Sequence, residues 1–224
     1  MNKYKVGLIH ATLNSVNPIL EAFAKNFPDI ETINFMDEGL LRALEKEGEI
    51  TAALVERFAS LLERAVDTEV DGILLSCSAY SPTITEMRKR FPQLPIENVD
   101  DAMIEQAVKL GRKIGVVATV ATAGPTTEKA VKDKADILGE EVEVLVEVNT
   151  EAFAALNNKD FELHDSLIAS SVEKLLNNQV DLIILAQLSM ARAKTALKHV
   201  AIPILTSPEI SSNKIVSEIE AFYR

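Results

Sequence analysis

The chain lacks the features that mark several large classes of protein. Only one of its 224 residues is cysteine, so no disulfide can form within it, which is typical of a reducing compartment. Eight glycines and eight prolines are too few for a disordered or low-complexity chain. No apolar run approaches the roughly 20 residues of a membrane-spanning helix, and the first apolar run turns polar too early for a signal peptide. The sequence therefore predicts a soluble, cytoplasmic protein.

Positive charge and the common cofactor motifs are also scarce. The chain carries 34 acidic against 23 basic residues, a formal net charge of −11, so neither nucleic acid nor a membrane is expected as a partner. It contains no G-x-G-x-x-G, G-x-x-x-x-G-K-[ST] or G-x-S-x-G motif. Three scattered histidines and one cysteine lack the spacing of a metal site. No metal and no cofactor are expected, whereas a small anionic substrate stays compatible, because local dipoles can outweigh a diffuse surface charge.

Short β-branched runs alternate with longer amphipathic segments. Four continuous apolar runs begin at Lys5, Val70, Lys113 and Val180, and continuous rather than alternating runs are typical of parallel strands covered on both faces. Helical patterns lie between them, at residues 17–27, 50–68 and 101–111. This alternation predicts an α/β fold.

Three sequence blocks occur twice, in the same order and at nearly one offset. "KVGLIHATLNS" pairs with "KIGVVATVATA", "VDGILLSC" with "VDLIILAQ", and "LPIENVDDAM" with "IPILTSPEIS". We therefore expect two pseudo-symmetric lobes that face one another across a cleft, each a parallel sheet flanked by helices. The last helix, roughly residues 211–223, is expected to cross over. Lobe 1 would then comprise residues 1–110 with about 208–224, and lobe 2 residues 111–207.

Polar side chains gather where the predicted strands end. Ligands of open parallel sheets bind beyond the carboxyl ends of the strands. The stretches at these ends are rich in small hydroxyl, amide or thiol side chains, at residues 10–15, 77–81, 119–124 and 187–190. The sequence therefore predicts the active site in the cleft between the lobes.

Cys77 is the candidate with the most specific chemistry. Ser81 fits a helix N-cap and Pro82 the first helical position, so Cys77 should precede a helix N-terminus. Such a terminus binds a carboxylate and favours a thiolate, which predicts a thiol pKa lowered toward physiological pH. The alternative is that Cys77 is a small buried apolar side chain without chemistry. The sequence supports the two interpretations about equally.

The three histidines differ in their positions. His10 closes the first strand, where it would either orient or deprotonate Cys77 or simply cap the strand. His164 and His199 are expected at the surface. Three acidic residues are expected to cap the helix that follows them: Glu97, Asp100 and Asp101.

Hydroxyl and amide side chains supply further candidates. Asn14 and Ser15 lie in a turn-rich stretch, so turn chemistry explains them as well as ligand contact does. Thr119 and Thr122 would donate to a substrate carboxylate, although β-propensity also explains threonine there. Neither pair is decided by the residues alone.

With these blocks in view, the chain resembles the aspartate/glutamate/hydantoin racemase superfamily over nearly its full length. The resemblance rests on "VGLIHAT", "DGILLSCSAYSP", "GRKIGVVATVATAGPT" and "DLIILAQLSMARA". It implies two α/β lobes with the site between them, no cofactor, and two thiols that exchange the α-proton of the substrate. Backbone amides and hydroxyls would hold the substrate carboxylate, and by analogy the protein would be a homodimer.

The resemblance also assigns roles to individual residues. The first thiol maps onto Cys77, and Gln187 replaces the second; an amide hydrogen-bonds but does not exchange a proton near neutral pH. Carboxylate binding maps onto the backbone amides of Ser78 and Ala79. The remaining substrate-binding positions map onto His10, Asn14, Ser15, Thr119, Thr122, Leu188 and Ser189.

The resemblance therefore implies a cofactor-independent racemase or isomerase acting on a small carboxylate or amino-acid derivative. Cys77 would be its acid/base, His10 a helper and Gln187 an orienting donor. Two alternatives stay open. One is a decarboxylase or lyase whose single thiol protonates an enediolate on one face, and the other is a catalytically inactive protein that binds small acids.

Overall fold

The computed structural model describes residues 4–224, which divide into two units. Unit 1 comprises the described residues up to Asp101 together with Pro208–Arg224, and unit 2 comprises Ala102–Ser207. Each unit contains one four-stranded sheet in which every paired strand is parallel. This confirms the predicted fold class, an α/β chain with two lobes that each contain a parallel sheet flanked by helices.

The two sheets have the same strand order. In unit 1 the order is β2-β1-β3-β4, and in unit 2 it is β6-β5-β7-β8. The strands are β1 Tyr4–His10, β2 Ile30–Met36, β3 Gly72–Leu75, β4 Ile96–Asn98, β5 Lys113–Ala118, β6 Glu143–Val148, β7 Leu182–Leu185 and β8 Ile204–Thr206. The internal sequence repeat thus corresponds to a repeated sheet topology.

Nine α-helices follow or separate the described strands. They are α1 Val16–Asn26, α2 Gly39–Glu47, α3 Ala52–Asp67, α4 Ile84–Arg90, α5 Asp101–Leu110, α6 Ala123–Leu138, α7 Thr150–Asn157, α8 Phe161–Leu176 and α9 Ser207–Phe222. From its second residue onward, α5 belongs to unit 2 although it follows a strand of unit 1. From its second residue onward, α9 likewise belongs to unit 1 although it follows a strand of unit 2.

Local chemistry explains several of these boundaries. Thr51 begins α3, where its hydroxyl accepts the N–H of Leu54 at 3.4 Å. Gly48 and Gly139 end α2 and α6 in the left-handed conformation, with φ of 78° and 70°. Gly72 of β3 lies against α9, and a Cβ built on it would be 2.6 Å from Cγ1 of Ile219. A side chain at position 72 would therefore force the Ile219 side chain to shift, so glycine favours this close approach of α9 to the sheet of unit 1.

One histidine is buried against expectation. His164 on α8 is 0% exposed, so its predicted surface position is wrong. Its Nδ1 lies 2.8 Å from Oδ1 of Asp165, and Arg192 Nε donates to the same oxygen at 2.9 Å. The contact at Nδ1 offsets part of the cost of burying the imidazole, whereas the buried Nε2 has no hydrogen-bond partner among residues 4–224. His199 is exposed, as predicted, and its Nε2 lies 3.1 Å from Oε1 of Glu173.

Candidate active site

Cys77 stands at the junction between a buried strand and a helical turn. The strand β3 ends two residues earlier, and a 3₁₀ helix, Ser78–Thr83, begins directly after Cys77, whose backbone is extended. Ser81 and Pro82 therefore lie inside this 3₁₀ helix, and the prediction that they begin the helix was wrong. The turn starts earlier because Tyr80 N–H already donates to the Cys77 carbonyl, at 3.1 Å.

The 3₁₀ helix is anchored in the core of unit 1. Tyr80 is fully buried, its ring stacks on Phe58 with 4.7 Å between the centroids, and its hydroxyl donates to the carbonyl of Leu40 at 3.0 Å. Thr83 Oγ1 donates to the Tyr80 carbonyl at 2.7 Å. Cys77, at the start of this helix, is thereby held at a fixed position.

The sulfur of Cys77 is half-buried and packs against the core of unit 1. Burial raises the pKa of the Cys77 thiol; the amides of Ala79 and Tyr80 oppose this rise, and the negative charge of Asp100 adds to it. The amides point toward the sulfur, but no close, aligned capping hydrogen bond forms. The predicted lowering of the thiol pKa was therefore wrong, because desolvation outweighs a short helical turn. At neutral pH the thiol is therefore protonated.

The direction of this shift predicts how the thiol reacts with an alkylating reagent. The rate of iodoacetamide modification should rise about tenfold per pH unit and continue to rise above pH ~8.5, the ordinary thiol pKa. Asp100→Asn should move the curve to lower pH, because a negative charge is removed, whereas Asp29→Asn at an exposed position should not. Mass spectrometry of the modified chain measures both. A plateau below pH 8, or identical curves for the two variants, would contradict the shift.

Asp100 is the acidic group beside this thiol. It is half-buried and hydrogen-bonds with Ser78. Burial raises the pKa of Asp100 to about 6, the hydrogen bond from Ser78 lowers it, and the charge of Asp101 raises it. Among residues 4–224, no lysine or arginine forms an ion pair with Asp100.

The cap of α5 differs from the prediction. Asn98 Oδ1 accepts the N–H groups of Asp100 at 2.9 Å and of Asp101 at 2.8 Å, so an amide side chain caps this helix. The predicted acidic caps were wrong in this respect. Glu97 instead accepts from Arg88 Nη2 at 2.9 Å. Because Asn98 makes the cap, the Asp100 carboxyl is available to Ser78.

The raised pKa of Asp100 has a consequence for stability. The folded pKa of about 6 lies above the unfolded value of ~3.9, so stability is lost as pH rises from about 4 through 6. Asp100→Asn removes this loss and should raise the free energy of unfolding by up to about 3 kcal/mol above pH 6. Urea titrations of both proteins should converge below pH 4. A gain that is independent of pH would contradict the assignment.

His10 belongs to a buried polar network at the ends of β1 and β3. Its Nδ1 lies 2.7 Å from Ser76 Oγ and 3.0 Å from Ser15 Oγ, and its Nε2 lies 3.0 Å from Asn34 Oδ1. Burial lowers the pKa of His10, although the hydrogen bond with Asn34 raises it. Both ring nitrogens are engaged, so His10 is connected to Cys77 through the preceding residue, Ser76. Direct acid–base help from His10 stays a prediction.

The other predicted residues of unit 1 differ in exposure. Ser15 is buried and donates to the Thr12 carbonyl at 2.8 Å, as its turn position indicated. Asn14 and Ser78 are exposed, and Ala79 is half-buried. Ser15 and Asn14 follow β1, and Ser78 and Ala79 follow the neighbouring strand β3, so these residues share the carboxyl edge of one sheet.

Gln187 holds in unit 2 the place that Cys77 holds in unit 1. It follows β7, has an extended backbone and precedes a 3₁₀ helix, Leu188–Thr195. Its Oε1 accepts the backbone N–H of Thr119 at 3.0 Å and lies 3.4 Å from Thr119 Oγ1. Its Nε2 is buried and has no hydrogen-bond partner among residues 4–224. The oxygen of the amide is therefore fixed by Thr119, and its amino group is a hydrogen-bond donor for which no described residue is the acceptor.

The remaining candidates of unit 2 are less polar or more exposed than Gln187. Leu188 is buried, Ser189 is half-buried, and Thr122 is exposed at the N-terminus of α6, with no capping hydrogen bond from its side chain. The sequence analysis did not single out Ser207, which is 1% exposed and whose Oγ has no partner among the described residues. Its position directly after the last strand, in the repeated block "IPILTSPEIS", is the sequence signal that could have identified it.

Two features are absent from residues 4–224. No group of three histidine, cysteine, aspartate or glutamate side chains there is arranged to hold a metal ion. None of the described helices is both long and apolar enough to cross a lipid bilayer.

The family model for Asp/Glu/hydantoin racemases matches residues 10–214. Because this match covers most of the chain, the protein belongs to the Asp/Glu/hydantoin racemase family, and the predicted resemblance is confirmed. No curated protein matches the sequence significantly.

Solved structures of racemases share the fold at low sequence identity. Glutamate racemase from Francisella tularensis, in complex with D-glutamate, superposes with a TM-score of 0.71 at 15% identity, covering 99% of this chain and 82% of that one. Aspartate racemase from Picrophilus torridus gives 0.70 at 14% identity, with 96% and 94% covered. An unliganded arylmalonate decarboxylase gives 0.63 at 14% identity, with 97% and 93% covered.

Proposed function

We propose that the protein is a cofactor-independent racemase or isomerase that moves the α-proton of a small carboxylate or amino-acid derivative through Cys77. The observation that carries this proposal is the position of the only cysteine of a family member. It stands at the carboxyl end of a central strand, half-buried, with two backbone amides directed at it and a carboxyl group nearby. A site of this kind stabilises a proton carrier and a bound anion together.

The roles of the neighbouring groups follow from their chemistry. Removal of the α-proton leaves an enolate whose charge spreads onto the carboxylate, so donors at the carboxylate stabilise the intermediate. The backbone amides of Ser78 and Ala79 are proposed donors, with Asn14, Ser15, Thr119, Thr122, Leu188 and Ser189 as further substrate contacts. Gln187 is a proposed hydrogen-bond donor, because its Nε2 has no acceptor among the described residues. A cytoplasmic location and a homodimer remain predictions from the sequence.

Exchange of the α-hydrogen in deuterated water tests the proposal. The wild-type protein is incubated with both enantiomers of aspartate, glutamate and their N-carbamoyl derivatives, and NMR follows loss of the α-proton while chiral chromatography follows inversion. Exchange that depends on Cys77 supports the proposal, and exchange together with inversion identifies a racemase. Absence of exchange in every substrate would contradict it.

A single-thiol decarboxylase is the second candidate function. It is favoured by the raised pKa of Cys77, because a protonated thiol suits delivery of a proton to an enediolate, and by an amide in place of a second thiol at Gln187. Incubation with a disubstituted malonate separates the two functions: release of carbon dioxide with one product enantiomer indicates the decarboxylase. Ligand binding without turnover of any substrate would indicate a binding protein.

A further inference from the structure

Unit 2 has three buried side-chain polar atoms without a hydrogen-bond partner among residues 4–224. One is His164 Nε2 on α8, and the other two belong to residues that follow the neighbouring strands β7 and β8. Among residues 4–224, neither Gln187 Nε2 nor Ser207 Oγ has a hydrogen-bond partner. Ser207 is 1% exposed. Buried polar atoms are satisfied in the great majority of cases, so two unpartnered atoms at adjacent strand ends point to a group that the described residues do not supply.

Sheet pairing brings the two residues to the same edge. The strands β7 and β8 pair in parallel, with Leu185 opposite Thr206. Ser207 is one residue beyond this pair and Gln187 two residues beyond it, both past the carboxyl ends of their strands. Neighbouring strands lie ~4.8 Å apart, so the two residues are neighbours at this edge of the sheet.

The orientation of the Gln187 amide is fixed by its other end. The Thr119 backbone N–H is only a donor, so the atom that it contacts at 3.0 Å must be the carbonyl oxygen Oε1. The amino group Nε2 is therefore the unpartnered end, and it offers two N–H donors. The Ser207 hydroxyl adds a third donor. A group complementary to three donor hydrogens accepts hydrogen bonds, which excludes an ammonium and fits a carboxylate, whose oxygens form the stronger, charge-assisted bonds.

We infer that Gln187 and Ser207 form a subsite in unit 2 that binds one carboxylate group of a small organic acid. Ser207 is thereby a binding residue. The inference rests on the proposed function only in taking this acid to be the substrate, because the subsite itself follows from two buried donors.

Titration calorimetry of the full chain with succinate, L-aspartate and D-aspartate tests the subsite, with neutral succinamide for comparison. The wild-type protein should bind at least one acid at least tenfold more tightly than succinamide. Gln187→Glu, which can still accept from Thr119 but presents a negative oxygen to the ligand, should weaken that binding at least tenfold. Ser207→Ala should weaken it about fivefold. Ser171→Ala is the matched control, because that serine is equally buried and lies near Asn149 Nδ2 at 3.3 Å; its Kd should equal that of the wild type.

Thermal unfolding supplies a second readout. Ser207→Ala removes a hydroxyl that has no partner, so without ligand its melting temperature should equal or exceed that of the wild type, and addition of the acid should raise it less. Unchanged Kd values in both subsite variants, or no binding of any of the three acids by the wild type, would overturn the inference. A lowered melting temperature of Ser207→Ala with unchanged Kd would show that the two atoms hold an internal water instead.

The Cys77→Ala variant separates this inference from the proposed function. In the Cys77→Ala background, Ser207→Ala should weaken acid binding by the same factor as it does in the wild type. Binding that depends on Ser207 in a protein without α-hydrogen exchange supports the subsite and contradicts the proposed function. Exchange that depends on Cys77 but is insensitive to Ser207→Ala and Gln187→Glu supports the proposed function and contradicts the subsite.

Discussion

Replacing Cys77 by alanine is expected to reduce α-hydrogen exchange by about 10²–10⁴-fold, the usual contribution of one positioned acid–base group. The reason is that Cys77 is the only thiol in the chain. His10 does not replace it, because both of its ring nitrogens are already engaged, with Ser76, Ser15 and Asn34. Cys77→Ser should lose as much, because a serine hydroxyl keeps the shape but is too weak an acid to exchange a proton near neutral pH. NMR in deuterated water measures the rate.

Folding must be shown to survive the substitution. The Cys77 side chain is half-buried, so alanine should change the free energy of unfolding by only about 1 kcal/mol. Ser81→Ala is the matched control: it removes one heavy atom from the 3₁₀ helix that follows Cys77, at a hydroxyl with no partner among the described residues, and should leave exchange unchanged. If Cys77→Ala exchanges as fast as the wild type, the thiol is a core side chain and the proposed mechanism is wrong.

Gln187→Cys is expected to create exchange at the second face of the substrate. Gln187 and Cys77 occupy equivalent places, each with extended backbone after a central strand and before a 3₁₀ helix, with φ and ψ of −118° and 144° against −110° and 103°. A cysteine at 187 would thus stand where the family resemblance implies the second thiol. The enantiomer that the wild type exchanges slowly should gain at least tenfold in exchange rate, since one thiol then removes a proton and the other supplies one.

Two comparisons isolate the effect of the new thiol. Gln187→Ala removes the amide without adding an acid, and it should not show the gain. Gln106→Cys adds a thiol on the exposed face of α5 and should behave as the wild type. Chiral chromatography of the products decides the outcome: if Gln187→Cys inverts substrate no faster than Gln187→Ala, position 187 is not the second acid–base position.

The central strands were predictable because burial on both faces leaves a continuous apolar run. β3, β5 and β7 fall within predicted runs and β1 begins one residue before its run, and all four strands are buried along most or all of their length. The outer strands β2 and β6 were not predicted. They are half-buried and mix polar with apolar residues, as in "IETINFM" and "EVLVEV", so the chain offers no continuous signal there.

The site was only partly predictable, because its electrostatics depend on long-range packing. The strand ends and Cys77 followed from the local pattern, but the direction of the thiol pKa did not. It is set by burial and by Asp100, which lies 23 positions later in the chain. Burial of His164 likewise depends on Asp165 and on Arg192 from a different segment.

The contact of α9 with Gly72 has a consequence for the order in which the chain matures during synthesis. Unit 2 has all of its strands once residue 206 has left the ribosome, whereas unit 1 needs Ile219 to cover β3. The half that is translated first is therefore completed last. Until then the face of β3 at Gly72 is uncovered, and an uncovered apolar surface on a nascent chain is the kind of surface that molecular chaperones bind.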